Sequence, residues 1–141
     1  MKLYLASFFD TRARLRPIRD QIQAMGHTVT GRWIDEQDTV VGLTYEDQLK
    51  AAGRDLNDID QSDLFILDTL DENPRGGREV EYGYAMANPC MRIWIVGPLR
   101  NIFHSCAGQW FVNWEGALHA LSLEAGQTSL RPLSGSVDRQ Y

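Results

Sequence analysis

The sequence predicts an α/β fold, a three-layer sandwich with helices on both faces of a mainly parallel five-stranded sheet. Short apolar segments that suit buried strands alternate along the chain with longer segments of helical periodicity. One of the strand segments, Asp63–Thr69, is continuously apolar in its middle, as expected of a strand buried on both faces. At 141 residues, with 43% apolar and 23% charged residues, the chain has the size and composition of one globular domain.

The first strand and the first helix are both marked by where their patterns end. Lys2–Ser7 is short, apolar and followed by a polar turn, which indicates a central strand. Thr11–Met25 carries apolar residues three and four positions apart, the spacing of one helix face, and Gly26 ends it. Pro17 lies inside this pattern, so we expect the helix to begin near Arg16 or a separate turn to precede it.

The next two elements are a strand and a capped helix. His27–Ile34 alternates between apolar and polar residues and predicts the second strand. An acidic and then Val-Gly-rich loop over residues 35–43 could cover a pocket. Thr44 and Asp47 have nearly the spacing and chemistry of a capping box, which predicts a helix from Tyr45 to about residue 59.

The second half of the chain repeats the alternation. The predicted order is a strand, a helix, a strand, a short strand and a helix: Asp63–Thr69, Gly77–Asn88, Arg92–Gly97, Gln109–Val112 and Trp114–Glu124. Right-handed crossovers leave few ways to connect these elements, and we expect the flavodoxin-like (Rossmann-like) order 2-1-3-4-5. We assign residues 1–126 to one domain and residues 127–141 to a polar tail.

Composition and motif searches narrow the class of partner. The net charge of −5 argues against a broad surface for nucleic acid or an anionic membrane, so a small molecule is the expected ligand. Cys90 and Cys106 have no metal-binding spacing and are expected to be reduced core thiols of a cytoplasmic protein. His27, His104 and His119 lack metal spacing too, and we expect structural roles for all three and no metal site. No apolar run reaches the length of a membrane span, and no signal peptide is recognised.

Three carboxylates are candidates for chemistry. Glu81 lies about one turn into the third helix, Asp68 ends the third strand, and Asp55 lies on the second helix. The carboxyl ends of parallel strands meet at one edge of the sheet, where ligands bind against helix N-termini. Each residue also has an ordinary structural explanation: a solvated helix carboxylate for Glu81 and Asp55, and a turn cap for Asp68.

Other features of the same region are weaker signals. Arg75-Gly76-Gly77-Arg78 precedes and begins the third helix, and its amide groups and guanidinium groups could hold an anion. Tyr4 is either a core tyrosine or a residue whose hydroxyl reaches the sheet edge. Gly83 lies inside a helix, at a cost of about 1 kcal/mol against alanine, which indicates close approach of another backbone or a ligand.

Four segments in one order resemble a known family. They are the strand Lys2–Ala6, the Asp-x-x-Asp-Ile-x-x-Ser-Asp run over residues 55–63, the strand end Leu67-Asp68, and Gly77-x-x-x-Glu81-x-Gly83-Tyr84-Ala85. Together they are similar to the nucleoside 2-deoxyribosyltransferase family and its relatives, the deoxynucleoside 5′-monophosphate N-glycosidases. The resemblance covers about residues 1–123.

The resemblance implies a function and roles for named residues. Glu81 would attack C1′ of a 2-deoxyribosyl group and form a glycosyl ester, which a second base or water then resolves. Tyr4 would orient Glu81, and Asp68 or Asp55 would hold the substrate and help to protonate the leaving base. The residues implied to bind substrate are Ser7, Phe8, Phe9, Asp10, Gly77 and Arg78, with the two phenylalanines stacking on the base. This chemistry needs no metal or other cofactor, and the family completes its site across a homo-oligomer contact.

The sequence departs from the family pattern in ways that leave alternatives open. Ser7-Phe8 stands where the family often has Gly-Pro, and Arg78 replaces a common threonine. Because arginine suits a phosphate, the substrate is either a nucleoside or its monophosphate. Glu79 is a rival nucleophile, but residues two apart on a helix point about 200° from each other, so only one can face the cleft. A nucleotide-binding module without turnover and a glycosidase of an NAD-like dinucleotide are the competing functions.

Overall fold

The computed structural model describes residues 1–36, 43–72 and 75–129, which form the predicted α/β sandwich. Its strands are β1 (Lys2–Ala6), β2 (Thr28–Val29), β3 (Leu64–Asp68), β4 (Arg92–Val96) and β5 (Gln109–Phe111). Its α-helices are α1 (Arg12–Ala24), α2 (Tyr45–Asp60), α3 (Gly77–Met86) and α4 (Trp114–Ser129). Short 3₁₀ turns cover Phe9–Thr11, Arg32–Asp35 and Ile102–Cys106.

The five strands form one parallel sheet in the order β2-β1-β3-β4-β5, which confirms the predicted topology. In the central pairs, Leu5 lies opposite Ile66, and Ile66 lies opposite Trp94. The chain direction therefore brings the carboxyl ends of β1 and β3 side by side. The order of the strands reverses there, and such a point is where parallel sheets bind ligands.

Two helical layers cover the sheet. Helix α1 packs against α4, and α2 packs against α3. Every residue of β3 is buried, because both faces of this strand are covered as predicted from its continuous apolar sequence. The core is built mainly from the sheet, and Leu15, Ile59 and Leu121 are buried from three different helices.

The ends of two helices follow the sequence signals. The Thr44 hydroxyl accepts a hydrogen bond from the Asp47 N–H at 3.2 Å, and Asp47 accepts one from the Thr44 N–H, so the capping box predicted for α2 is confirmed. Gly26, just after α1, has a φ of +90°, a backbone angle that residues other than glycine rarely adopt.

The predicted second strand, His27–Ile34, is wrong over most of its length. Only Thr28 and Val29 pair with β1, and the chain then turns into Arg32–Asp35. Trp33 explains the difference, because its side chain is buried and its indole N–H donates to the Leu5 carbonyl at 2.9 Å. The tryptophan thus crosses the end of β1 and does not extend β2.

Pro17 neither begins nor breaks the first helix, so both alternatives for it are wrong. Helix α1 starts at Arg12 and continues through Pro17, which is exposed. Proline removes one hydrogen bond to the carbonyl of Ala13, which is also exposed and can be solvated. Arg16 donates to the Ile34 carbonyl at 3.0 Å and helps to fix the helix on the protein.

The two cysteines are free, as predicted, but they are not in the core. Both lie in connections between elements and are exposed, which corrects the expectation of buried thiols. The loop prediction for residues 35–43 and the tail prediction for residues 127–141 fall largely outside the described residues, although α4 runs to Ser129. None of the described helices combines the length and apolar character needed to cross a bilayer.

Candidate active site

A cavity of about 230 Å³ lies beyond the carboxyl end of β1, beside the N-terminus of α3. It contains three carboxylates, two arginines and three aromatic side chains. The lining residues are Ser7, Phe8, Phe9, Trp33, Glu36, Asp55, Arg75, Gly77, Arg78 and Glu81. Seven of the ten predicted site residues therefore line this cavity. The other three, Tyr4, Asp10 and Asp68, do not.

A larger cavity, of about 460 Å³, lies at the opposite end of β4. Its side chains are mainly apolar, with Arg92, Gln109 and Cys106 at its wall and no carboxylate. The guanidinium of Arg92 already pairs with Glu124 at 2.6 Å. Of these two cavities the smaller one is therefore the better candidate for acid–base or nucleophilic chemistry, since it combines several carboxylates.

Glu81 belongs to the second turn of α3 and is partly buried where it faces the cavity. The pKa of Glu81 is raised to about 8, chiefly by burial and then by the negative charge of Asp55, while the Tyr4 hydroxyl acts in the opposite direction. A carboxyl group with such a pKa changes its protonation state near neutral pH, as acid–base groups of active sites do.

Tyr4 lies beneath this carboxylate in the middle of β1 and is completely buried. Burial, followed by the charges of Glu81 and Asp55, raises the pKa of Tyr4 above its usual range, so the phenol keeps its proton. Its hydroxyl has no regular hydrogen bond to any described residue. Its interaction with Glu81 therefore falls short of standard hydrogen-bond geometry, and the proton remains available to that carboxylate.

Asp55 approaches the same cavity from α2 and is half-buried. Burial raises the pKa of Asp55, and the Arg54 guanidinium, 3.1 Å from its Oδ1, acts against that rise. Two carboxyl groups that face one small space disfavour each other's charge, so Asp55 and Glu81 titrate as a coupled pair.

The loop after β1 forms the wall opposite these acids. The Thr11 hydroxyl donates to the Phe8 carbonyl at 2.6 Å and lies 3.0 Å from the Ser7 hydroxyl, which fixes the start of the loop. The Arg12 guanidinium lies 3.6 Å above the Phe9 ring, and Arg75 lies 5.5 Å from the ring centre of Phe8. The two phenyl rings are thus held by cation–π contacts at the cavity.

Asp10 is not brought to this cavity. It is exposed and lines a separate, open depression with Phe8, Arg14, Asp71 and Glu72. The position of Asp10 therefore does not support the substrate-binding role that the resemblance implies for it. The loop turns into a 3₁₀ segment at Phe9, and this turn directs Asp10 away from Glu81.

Asp68 is likewise absent from the cavity wall and is completely buried. Its Oδ2 accepts hydrogen bonds from Arg14 and from the Trp114 indole, both at 2.8 Å. Its Oδ1 accepts the Leu70 N–H at 3.0 Å. Oδ2 therefore joins the end of β3 to α1 and α4, Oδ1 caps the turn that follows β3, and this geometry supports a structural role for Asp68.

The N-terminus of α3 forms the cationic part of the wall. Gly76 has a φ of +76°, and the helix begins at Gly77, where a Cβ atom would meet nothing within 4 Å. Arg78 is buried and donates through Nη1 to the carbonyls of Asp68 (3.1 Å) and Asp71 (2.7 Å). Arg78 therefore holds the loop before the helix, and burial lowers its pKa.

Glu79 points away from Glu81, as the helix geometry predicts. Its Oε2 lies 2.9 Å from the buried His104 Nε2 and 3.2 Å from the Asn101 amide nitrogen. His27 is also buried and bonded, to the Leu121 carbonyl at 3.0 Å. Among the described residues, no three His, Cys, Asp or Glu side chains form a group that could hold a metal ion.

Two residues of the cavity wall had no distinct sequence signal. The sequence predicts a strand at Trp33, and Glu36 is one acid of a loop predicted to cover a pocket. Both follow the unexpectedly short β2. Predicting these two residues requires knowing that β2 ends at Val29. The composition of the segment does not indicate this end.

No protein-family model and no curated protein sequence matches the chain. Solved structures do resemble it. One is a 2-deoxyribosyltransferase from Bacillus psychrosaccharolyticus, with a TM-score of 0.68 and 19% identity over 86% of this chain and 96% of that one. Another is a CMP N-glycosidase from Clostridium botulinum, with a TM-score of 0.57 and 16% identity over 87% of this chain and 99% of that one. At these identities the likeness establishes a shared fold.

Proposed function

We propose that the protein cleaves or exchanges the N-glycosidic bond of 2-deoxyribonucleosides or their 5′-monophosphates, with Glu81 as the nucleophile. The observation that carries this proposal is the pair of carboxyl groups, Glu81 and Asp55, facing one cavity beside aromatic rings. Most enzymes that cleave glycosidic bonds use a pair of carboxyl groups as catalytic residues. The two similar structures are those of a deoxyribosyltransferase and a CMP N-glycosidase, which fits the same bond type.

In the first step, the coupled pair supplies both a nucleophile and an acid. With one proton on the pair, the reactive state has Asp55 protonated and Glu81 charged. A Glu81 oxygen bonds to C1′ as the C1′–N bond breaks, and the Asp55 proton goes to the leaving base. The Tyr4 hydroxyl favours the charged form of Glu81, because its interaction lowers the pKa of that group.

In the second step, the glycosyl ester is resolved. Water or a second base attacks C1′, the bond to Glu81 breaks, and the proton of the attacking group returns to Asp55. The carboxylates are then as they were at the start, and the anomeric configuration is retained after two displacements. Water as acceptor makes the protein a hydrolase, and a base makes it a transferase.

The cavity wall supplies groups for both ends of such a substrate. Phe8 and Phe9, held by their arginine contacts, offer ring faces for stacking on a base. Arg75 and the helix N-terminus at Gly77 suit an anion, which favours a 5′-monophosphate. In this proposal the protein is a homo-oligomer of the cytoplasm, with residues 1–126 as the catalytic domain.

Release of free base tests the proposal. Purified protein is incubated with a panel of deoxynucleosides and monophosphates, with and without a second base, and the products are separated by chromatography. Wild type is expected to release or exchange base, and Glu81→Gln to release none. Glu79→Gln is the matched control, since this neighbouring acid faces His104 and not the cavity. Full activity of Glu81→Gln would defeat the proposal.

A nucleotide-binding module without turnover is the second candidate, and one observation favours it. A pKa of about 8 keeps Glu81 mostly protonated at neutral pH, and a protonated carboxyl is a poor nucleophile. The same panel separates the candidates. Saturable binding of a nucleotide with no free base after long incubation is expected of the module alone.

A further inference from the structure

Glu36 is an unusually well anchored residue of the cavity wall. Its backbone carbonyl accepts hydrogen bonds from two arginines of α1, Arg12 and Arg16. Its carboxylate pairs through Oε1 with Arg54 of α2. Three guanidinium groups from two helices therefore fix this residue, although it directly follows a turn and lies on the surface of a cavity.

Arg54 holds a second cavity carboxylate at the same time. Its Nη2 binds Glu36 and also lies 3.1 Å from Oδ1 of Asp55. One nitrogen atom thus fixes the relative position of the two acids. Arg54 itself is not part of the cavity lining, so the cation lies behind the carboxylates and the carboxylates face the ligand space.

This end of the cavity is separated from the cationic end by the sheet topology. Trp33 and Glu36 follow β2, whereas Arg75 and Gly77 follow the connection from β3, and β1 lies between β2 and β3. The Trp33 indole N–H is already used by the Leu5 carbonyl. The side chains at the Glu36 end therefore present ring faces and carboxylate oxygens to a ligand. Among the described side chains there, the one further donor is the carboxyl proton of Asp55 when that group is protonated.

We propose that Glu36 and Asp55, positioned by Arg54, read the base and select those with an amino group beside an unprotonated ring nitrogen. Cytosine and adenine have this N=C–NH₂ edge, whereas uracil and hypoxanthine have the opposite O=C–N–H edge. Glu36 accepts a hydrogen bond from the amino group, and protonated Asp55 donates to the ring nitrogen. This inference rests on the proposed function and deepens it by naming the class of base.

The reverse edge is rejected by both groups. A carbonyl oxygen of uracil or hypoxanthine would face the Glu36 carboxylate, and a ring N–H would face the Asp55 proton. Neither contact can form a hydrogen bond, so polar groups are left unpaired in a partly buried space. Burial raises the pKa of Asp55 and so favours the protonated form that the selection needs. Donating that proton also makes the base a better leaving group.

Matched substrate pairs test the selection on the full chain. The rates of base release are compared as kcat/KM for dCMP against dUMP and for dAMP against dIMP, with the free nucleosides as a second set. Wild type is expected to favour the amino-bearing member of each pair roughly ten- to a hundredfold. Equal rates within both pairs would overturn the inference.

Substitutions of Glu36 and Arg54 test whether these two residues cause the preference. Glu36→Gln can both donate and accept, so the preference is expected to shrink about tenfold, with faster release from dUMP. Arg54→Ala should lose the preference, and Arg54→Lys should restore part of it. Arg19→Ala is the control, because Arg19 pairs with the adjacent Asp35 outside the cavity and its loss should leave the ratio unchanged. A structural defect would lower all rates equally, so an unchanged ratio in Glu36→Gln and Arg54→Ala contradicts the inference.

Binding keeps the two proposals distinguishable. Titration calorimetry of Glu81→Gln with dCMP and dUMP measures selection without any turnover. If no substrate releases base but dCMP binds at least tenfold more tightly than dUMP, the catalytic proposal fails and the base-reading cluster stands. If wild type releases base but both nucleotides bind equally, the catalytic proposal is supported and the base selection by Glu36 and Asp55 fails.

Discussion

Replacing Glu81 by glutamine should raise the free energy of unfolding at alkaline pH. The pKa of this carboxyl is raised from 4.5 to about 8 in the folded protein, chiefly by burial. When an acid has a higher pKa folded than unfolded, the folded state binds more protons between the two values. Wild-type stability must then fall as the pH rises through that interval. Glutamine does not titrate, so the variant lacks this slope.

The size of the gain follows from the width of the interval. At about 1.36 kcal/mol per pH unit, the step from 4.5 to about 8 corresponds to an upper limit of ~5 kcal/mol. Glu81 faces an open cavity, so solvent offsets much of this penalty, and we expect a gain of ~1–3 kcal/mol for Glu81→Gln near pH 9. Near pH 4 the carboxyl is protonated in the folded protein, and the difference should almost vanish.

Urea denaturation followed by circular dichroism at both pH values measures the effect. Glu79→Gln is the control, because Glu79 lies next to Arg78 and His104, outside the cavity, and its replacement should give no gain at alkaline pH. Equal unfolding free energies of wild type and Glu81→Gln near pH 9 would mean that the carboxylate is fully solvated. The assignment of Glu81 to a desolvating cavity would then be refuted.

Three other substitutions have defined outcomes. Asp55→Asn removes the proton donor of the pair and leaves Glu81 as its one titrating carboxyl, so the fall of kcat/KM at alkaline pH should disappear, with a rate loss of roughly 10²–10⁴-fold; an unchanged alkaline fall contradicts the role of Asp55 as the acid. Asp68→Asn should lower stability by ~2–4 kcal/mol in denaturant, through the loss of its buried pair with Arg14, and leave kcat of the folded protein unchanged; a selective loss of kcat would place it in the reaction. Gly83→Ala should raise stability by about 0.5–1 kcal/mol in thermal unfolding, because a Cβ there meets nothing within 4 Å; a loss would indicate a partner that packs on this helix face.

Local and periodic signals predicted most of the fold. The order of the sheet follows from alternating strands and helices, and the capping box at Thr44 needs only neighbouring residues. The opposite directions of the Glu79 and Glu81 side chains follow from the geometry of the helix. No other backbone among the described residues approaches Gly83, so the expectation of a close backbone contact there is not met in that part of the chain, and approach of a ligand stays a prediction. Exposure of Cys90 and Cys106 was also missed, because burial of a loop residue depends on contacts far away in sequence.

The candidate site was predictable only where one strand end or helix turn determines the position. Ser7, Phe8, Gly77 and Glu81 belong to such places, and they line the cavity. Asp68 had the same kind of signal, yet Arg14 and Trp114, distant in sequence, both bind its Oδ2 in the interior. The bridge from Arg54 to Glu36 joins residues from two elements whose approach depends on how β2 ends. Contacts of this kind require the tertiary structure.

Trapping of the sugar on the protein tests the central claim most directly. The protein is mixed with a deoxynucleotide substrate, quenched in acid within milliseconds to seconds, digested and analysed by mass spectrometry. The peptide that contains Glu81 is expected to gain the mass of one deoxyribosyl group, and the gain should be absent in Glu81→Gln. Turnover of the substrate with the sugar on a different residue, or unchanged turnover by Glu81→Gln, would contradict the claim.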